Sequence, residues 1–175
     1  LGAKAVMFGV IGDDEQGERL TRIFKDANIV TDFLVADNQR PTTVKTRIIA
    51  GSQHVVRIDY ERRQEISNEL ADRILFKLED HLGSISSIVL QDYNKGVVTK
   101  KLIEGVVDLA SSRNIPICVD PKFKNFFSYK GVTVFKPNKK ESEDALNEKL
   151  FDEGMFEHAA HELKNRLGCK NVLLT

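Results

Sequence analysis

Polar residues with the chemistry of a binding site follow two short apolar runs in the second half of the sequence. The runs cover residues 116–119 and 132–135; Asp120 and Lys122 follow the first, and Asn138 and Glu141 follow the second. In an open α/β sheet the carboxyl ends of the strands form the crevice in which ligands bind, so these side chains are candidates for a site. Oxygen ligands beside cations suggest a metal-bound nucleotide or a phosphorylated substrate.

Asn138 and Glu141 are the candidates for a magnesium site. They lie three positions apart at a predicted helix start, which places both side chains on one face of that helix. Both supply hard oxygen atoms, which suit Mg²⁺ either directly or through its bound waters. A second interpretation stays open, in which Asn138 caps the helix and Glu141 lies near its positive end.

Lys95 and Lys122 are the candidates for an anion site. Each follows a predicted buried strand by a few residues, so both are expected to project into the same crevice. Two ammonium groups there imply a phosphate or a carboxylate ligand, and Asp92 and Asp120 would balance them or hold substrate hydroxyls. The alternative is that the lysines are ordinary solvated loop residues.

The elements that must position these residues alternate between strand and helix, which predicts an α/β fold with a doubly wound, mostly parallel sheet. Ser67 and Thr99 are expected to cap two of the helices, and Asn114 to close the second. Asp13 and Asp14 stand where the first helix begins, so a capping role is the alternative to a binding role for them. Strands are predicted at 5–11, 29–35, 85–90, 116–119, 132–135 and 171–175, and helices at 67–81, from 99 to 114, at 139–150 and, after a break at Gly154, at 155–167.

Residues 40–60 break this alternation and predict a β ribbon. Apolar and polar side chains alternate from Val44 to Ala50 and again from His54 to Asp59, with a turn at Gly51 and Ser52. A ribbon inserted between βα units suggests a lid over the site or a flap that forms a homodimer. An ordinary edge hairpin with solvated charges is the alternative.

The composition narrows the classes of protein that fit. The 175 residues contain 26 Lys and Arg against 26 Asp and Glu, so no overall positive field attracts nucleic acid or a membrane surface. Two cysteines make no disulfide framework and show no metal-ligand spacing, which favours a reducing cytoplasm. Neither a P-loop nor a Gly-x-Gly-x-x-Gly fingerprint occurs. The length predicts a single domain over 1–175.

Five segments together resemble the ribokinase-type, or phosphofructokinase-B, sugar kinases. Within that family the chain is most similar to the D-glycero-β-D-manno-heptose-7-phosphate kinase domain of bacterial ADP-heptose synthesis enzymes. Four stretches carry this likeness: TTVKTR at 42–47, VVRID at 55–59, DYNKG at 92–96 and DPK at 120–122. The resemblance spans nearly the whole chain and is strongest up to residue 150. The five segments are VIGDDEQG at 10–17, RPTTVKTR at 40–47, DYNKG at 92–96, DPK at 120–122 and PNKKE at 137–141.

The resemblance implies an activity: transfer of the γ-phosphate of ATP to O1 of the heptose 7-phosphate, with Mg²⁺, on the way to the lipopolysaccharide inner core. It implies that Asn138 and Glu141 organise magnesium and the ATP phosphates, and that Lys95 and Lys122 lie near phosphate groups. It also implies that the sugar pocket and lid are shaped by segments containing Asp13, Thr43, Arg47 and Arg57.

Two family motifs have no counterpart in the sequence. The Gly-Gly sugar-binding motif would precede Leu1, and the Gly-Ala-Gly-Asp motif, which carries the general base and an anion hole, would follow Thr175. Because phosphoryl transfer depends on positioning and charge stabilisation, we expect this polypeptide by itself to be inactive or nearly so. Two other functions remain open: a kinase of the same fold for another sugar or a nucleoside, and a non-catalytic binding or assembly module.

Overall fold

The computed structural model describes residues 2–51 and 53–175. They form two compact units, one made of the residues up to Gln64 together with Lys95–Val97, the other of Glu65–Asn94 and Val98–Thr175. Parallel strands with helices between them confirm the predicted α/β class. The single domain over 1–175 stays a prediction. None of the helices in the described ranges is long and apolar enough to cross a membrane.

The first unit begins with a parallel pair of strands and one helix. Strand β1, Gly9–Gly12, pairs with β2, Leu34–Asp37, and helix α1, Glu15–Asp26, connects them. The strands predicted at 5–11 and 29–35 are wrong at their ends, since only an isolated bridge between Val6 and Val30 precedes the ladder. An apolar run indicates burial but not where two strands come close enough to pair.

The β ribbon follows, and its strands are confirmed. Strand β3, Val44–Ala50, pairs antiparallel with β4, Gln53–Tyr60. The turn falls at Gly51, whose φ of 61° is left-handed, while Ser52, the other predicted turn residue, lies outside the described residues. A β-bulge shifts the register between Ile48 and Ile49.

The two faces of this hairpin differ in chemistry. We call one the apolar face, formed by Val44, Ile48, Val56, Ile58 and Tyr60; Thr46, opposite Ile58, lies on the same side. The other is the charged face, formed by Lys45, Arg47, Arg57 and Asp59. Except for Val44, the residues of the apolar face are 46–66% exposed.

The second unit contains a four-stranded parallel sheet in which the strands follow one another in chain order, β5-β6-β7-β8. Each strand is short, and the predictions for 85–90, 116–119 and 132–135 each begin too early. The strands are β5, Ile88–Gln91; β6, Ile117–Asp120; β7, Val134–Phe135; and β8, Asn171–Val172. The helices are α2, Asn68–His81; α3, Lys100–Ser112; α4, Lys139–Leu146; and α5, Glu153–Leu167.

Local sequence sets most of the helix boundaries. The Ser67 and Thr99 side chains accept from the backbone N–H three residues on, which confirms both predicted caps. Asn114 closes α3 with a left-handed φ of 56°, as Asn28 closes α1 with 57°.

Two boundaries differ from the prediction. Helix α4 stops at Leu146, four residues early, because Asn147 is left-handed and the Glu143 carboxylate accepts from the Leu150 backbone N–H at 3.0 Å. Helix α5 starts at Glu153, since Asp152 caps it, so the predicted break at Gly154 is wrong.

The core of the second unit holds the carboxyl ends of its strands in place. Tyr129, Val132 and Phe135 are fully buried, and the Phe126 and Phe135 rings contact each other edge to face at 5.0 Å. Helix α5 covers this core with Ala159, Leu163 and Leu167. Polar residues that follow the strands are therefore mounted on a rigid base.

Candidate active site

Three polar side chains form a row across the carboxyl ends of β5, β6 and β7. Gln91 Nε2 donates to Asp120 Oδ2 at 2.5 Å, and Lys136 Nζ lies 3.4 Å from Asp120 Oδ1. Burial raises the pKa of Asp120, but the Gln91 hydrogen bond and the Lys136 charge outweigh it and leave the pKa below its usual value. Asp120 is therefore an ionised carboxylate at the strand edge. The sequence analysis missed Lys136, although it directly follows an apolar strand.

Lys122 joins Asn138 and Glu141 at the start of α4. Glu141 Oε1 pairs with Lys122 Nζ, and Glu141 Oε2 accepts from the Asn138 backbone N–H at 2.9 Å. Asn138 Oδ1 accepts from the Glu141 N–H at 2.9 Å, which completes a capping box. Hydrogen bonding to Glu141 raises the pKa of Lys122, so the ammonium stays charged. The structure thus brings three predicted site residues together.

The capping role of Asn138 and Glu141 is present, and their magnesium role stays a prediction. Within residues 2–51 and 53–175, no group of three or more His, Cys, Asp or Glu could hold a metal ion. The oxygens of Asn138 and Glu141 have the hardness that Mg²⁺ prefers, yet each already accepts a protein hydrogen bond. This donor set fits a magnesium ion that keeps its waters and travels with a nucleotide.

Asp92 lies beneath the surface. Its side chain is 1% exposed; Oδ2 accepts from the Tyr129 hydroxyl at 2.8 Å, and Oδ1 accepts from the Asn94 N–H at 2.6 Å. Burial and the Asp92 carboxylate raise the pKa of Tyr129, so its hydroxyl remains a donor. These bonds shape the turn at Asn94, whose φ is 56°. A contact between Asp92 and a substrate stays a prediction, and Tyr129 was missed because it lies 37 residues away.

Lys95 belongs to the first unit, where it pairs with a buried carboxylate. Its Nζ lies 2.5 Å from Glu61 Oε1, which also accepts from Arg63 Nε at 2.9 Å. The Lys95 and Arg63 partners lower the pKa of Glu61. The sequence analysis missed Glu61, which has no motif of its own. Lys95 and Lys122 lie in different units, and their convergence stays a prediction.

Asp13 and Thr43 are exposed neighbours of two inward-facing residues. Asp14 caps α1 by accepting from the Gly17 N–H at 2.8 Å, and its other oxygen accepts from the Thr42 N–H at 2.8 Å. Asp13 and Asp14 help to line a cavity of about 400 Å³ beside β1 and α1. The cap predicted for this position is thus made by Asp14, which leaves the Asp13 carboxylate available.

Arg47 and Arg57 face each other across the hairpin. They are register partners on the charged face, and Arg57 Nε lies 3.0 Å from Asp59 Oδ1. Like charges directly opposite each other destabilise a strand pair, and Asp59 offsets only part of that repulsion. An arrangement of this kind favours an anionic ligand on this face.

Comparison with known proteins identifies the family. The pattern of the pfkB family carbohydrate kinases matches residues 1–175. The chain belongs to the pfkB family. The resemblance seen in the sequence is confirmed, and members of this family are kinases that use ATP as a substrate.

Two curated relatives of this pfkB family chain carry the same name. Bifunctional protein HldE of Aliarcobacter butzleri is 36% identical over 175 residues, and HldE of Trichlorobacter lovleyi is 35% identical over 175 residues. Each match covers 100% of this chain but 37% and 36% of the relative. The chain therefore spans just over a third of the length of the curated relatives that it matches.

Solved structures of the family share the fold. Ribokinase from Giardia lamblia superposes with a TM-score of 0.77 at 16% identity, covering 100% of this chain and 58% of that one. Phosphofructokinase-2 from Escherichia coli in complex with fructose-6-phosphate gives a TM-score of 0.72 at 19% identity, covering 99% and 57%. The predicted ribokinase-like α/β fold is confirmed.

Proposed function

We propose that this chain is part of a sugar kinase that transfers the γ-phosphate of ATP to O1 of D-glycero-D-manno-heptose 7-phosphate, in ADP-heptose and lipopolysaccharide core biosynthesis in the cytoplasm. The observation that carries the proposal is the match over the whole chain to proteins named HldE at 35–36% identity. The fold agrees with a carbohydrate kinase of the pfkB family.

In this proposal the start of α4 serves the nucleotide. Asn138 and Glu141 would hold the magnesium of MgATP through its waters, which supplies charge neutralisation at the phosphates. Lys122, now paired with Glu141, would add a positive charge beside the transferred group. The existing hydrogen bonds of the capping box hold both oxygen ligands in fixed orientations before ATP arrives.

The remaining candidates serve the sugar phosphate. A heptose presents several hydroxyls, and these would donate hydrogen bonds to carboxylates such as Asp13, Asp92 and Asp120. Thr43 is a further candidate for the sugar. Its 7-phosphate requires cations, and Lys95, Arg47 and Arg57 are the candidates. The family resemblance assigns the general base to a motif beyond Thr175, so this polypeptide by itself is proposed to turn over poorly or not at all.

A homodimer formed through the hairpin is also part of the proposal. Four large side chains on the apolar face are 46–66% exposed. This is more exposed apolar surface than a lid that only covers a polar sugar requires. A second hairpin laid on this face would bury them. Deletion of residues 44–60 is expected to shift the protein from dimer to monomer in size-exclusion chromatography, and an unchanged elution volume would remove this part of the proposal.

The second candidate is a kinase for a different phosphorylated sugar. The fold of phosphofructokinase-2, whose structure is known with fructose-6-phosphate, favours this alternative within the family. A nucleoside, being uncharged, would leave Lys95 and the arginine pair without an anion. A non-catalytic module would leave the strand-end row without a ligand.

The deciding experiment uses the complete gene product that contains this chain. Binding of heptose 7-phosphate and of MgATP is measured by isothermal titration, and ADP release is measured with heptose 7-phosphate or fructose 6-phosphate as acceptor. We expect Lys95→Ala to weaken the binding of heptose 7-phosphate at least tenfold, and Lys122→Ala to weaken the binding of MgATP at least tenfold. Lys100→Ala is the matched control and is expected to change neither, because Lys100 lies on α3 with its side chain 72% exposed and paired with the exposed Glu104.

Two results would reject the proposal. Phosphorylation of fructose 6-phosphate but not of the heptose would establish the second candidate. A protein that binds neither sugar phosphate nor MgATP would establish a non-catalytic module.

A further inference from the structure

Asp14 and Thr42 join two parts of the first unit that are 28 residues apart. Asp14 Oδ2 accepts from the Thr42 N–H at 2.8 Å, and the Gly12 N–H donates to Thr42 Oγ1 at 2.8 Å. The Thr42 hydroxyl also bonds to Asp14, and it is the main reason why the pKa of Asp14 is below its usual value. A helix cap alone needs one carboxylate oxygen, so the second oxygen of Asp14 has another task.

The backbones at this junction lie too close for larger residues. A Cβ atom on Gly12 would lie 2.6 Å from the Thr42 nitrogen and 2.8 Å from the Arg40 oxygen. A Cβ atom on Gly17 would lie 2.5 Å from the Gly12 oxygen. The end of β1, the start of α1 and the segment before β3 are therefore in direct backbone contact.

The same segment also joins the two ends of the hairpin. Arg40, which precedes β3, donates from Nη2 to the Gln64 carbonyl after β4 at 2.6 Å. Arg62 Nη1 donates to the Gln39 carbonyl beside it. The base of the hairpin is thus fixed both to itself and, through Thr42, to the end of β1.

Burial separates the residues of this junction from the candidate substrate residues. Thr42 is 6% exposed, whereas Thr43 is exposed; Asp14 has both oxygens bonded, whereas Asp13 is exposed. Asp14 has extended backbone, with φ −146° and ψ 165°, and successive side chains of extended backbone point to opposite sides. Asp14 and Thr42 thus bind each other while their chain neighbours Asp13 and Thr43 stay exposed.

We infer that Asp14 and Thr42 form a clamp that positions Asp13, Thr43 and the base of the hairpin for sugar binding. The inference rests on the proposed function for the identity of the sugar site. Neither clamp residue contacts the substrate; both are positioning residues that act through their chain neighbours. The clamp attaches the base of the hairpin to the end of β1 and hence sets the position of Arg47 and Arg57.

The test replaces the Thr42 hydroxyl in the complete gene product. Thr42→Val keeps the shape and the backbone N–H bond to Asp14 Oδ2, but it removes the hydroxyl that accepts from the Gly12 N–H and bonds to Asp14. Thr42→Ser keeps that hydroxyl. Ser86→Ala, which removes an exposed hydroxyl in the second unit, is the matched control. Amide hydrogen exchange over residues 44–60 is followed together with KM for the sugar phosphate and for ATP.

We expect Thr42→Val to accelerate exchange at the hairpin base at least tenfold and to raise KM for the sugar phosphate at least tenfold, with KM for ATP within twofold of wild type. Thr42→Ser is expected to keep both at the wild-type level, and Ser86→Ala to change neither. Unchanged exchange in Thr42→Val would overturn the clamp, as would equal losses in Thr42→Val and Thr42→Ser. If the wild type does not phosphorylate the heptose, the proposed function fails, and the exchange data still decide whether the clamp exists.

Discussion

Replacement of Tyr129 by Phe tests the buried hydrogen bond beneath the candidate site. Tyr129 is fully buried and donates to Asp92 Oδ2 at 2.8 Å, while Asp92 is 1% exposed. The substitution removes one oxygen and leaves the ring, including its contact with Phe135 at 6.1 Å between centroids. Any loss of stability therefore reports the hydrogen bond and the carboxylate left behind.

The expected loss follows from the burial of both partners. A hydrogen bond to a charged group contributes about 1.5–3 kcal/mol, and a buried acceptor without its donor keeps the cost of desolvation. Asp92 retains its bond from the Asn94 N–H, so we expect a middle value of about 2 kcal/mol in the free energy of unfolding. For a chain of this length that corresponds to a melting temperature lower by about 4–8 °C.

The assay is urea denaturation followed by far-ultraviolet circular dichroism at pH 7, with thermal melts beside it. Tyr93→Phe is the matched control, because Tyr93 directly follows Asp92 and is 63% exposed, and we expect it to change stability by less than about 0.5 kcal/mol. If Tyr129→Phe and Tyr93→Phe are equally stable, the Tyr129 hydroxyl does not stabilise the buried carboxylate and the reasoning is refuted.

Two further predictions concern the backbone and the pH dependence of stability. Gly96→Ala is expected to cost well over 2 kcal/mol of unfolding free energy, because φ is 80° and the new Cβ would lie 2.2 Å from the Gln64 oxygen; Gly131→Ala, with φ of 72° and open space, is expected to cost about 1–2 kcal/mol. Equal melting temperatures for the two variants would contradict this. The depressed pKa of Asp14 stabilises the fold above pH 3.8, its ordinary value, and this contribution is lost as the pH falls through the lower folded pKa. Urea titrations of wild type and Asp14→Asn are therefore expected to differ at pH 6 and to converge in this acid range; a constant difference would contradict the assignment.

Helix signals in the sequence were reliable where a single residue makes the bond. Ser67 and Thr99 cap α2 and α3 as predicted, since a cap is a contact over three residues. The end of α4 was not predictable in the same way, because the Glu143 carboxylate accepts a hydrogen bond from the Leu150 backbone N–H and so ends the helix before Leu150. The predicted strands were also too long, since the extent of pairing depends on a partner strand that the strand's own sequence does not contain.

The candidate site shows the same division between local and distant contacts. The link between Asn138 and Glu141 could be predicted from a spacing of three residues, and the structure shows it as a capping box. Nothing near Asp92 in the sequence indicates Tyr129, and nothing near Lys95 indicates Glu61, so the buried partners of both were missed. A carboxylate after a strand can bind a ligand or support a turn, and only the fold distinguishes these two roles.

The left-handed residues at the helix ends affect how this chain folds. Asn28, Asn114 and Asn147 follow α1, α3 and α4 with φ of 56–57°. Since asparagine enters this region more readily than most residues, each helix carries its own stop signal before any tertiary contact exists. Helices form in about a microsecond. Because each of these helices then already has its final boundaries, the chain begins its hydrophobic collapse from fewer alternative conformations. The slow step of folding is then the pairing of the parallel strands, because their partners are distant in sequence.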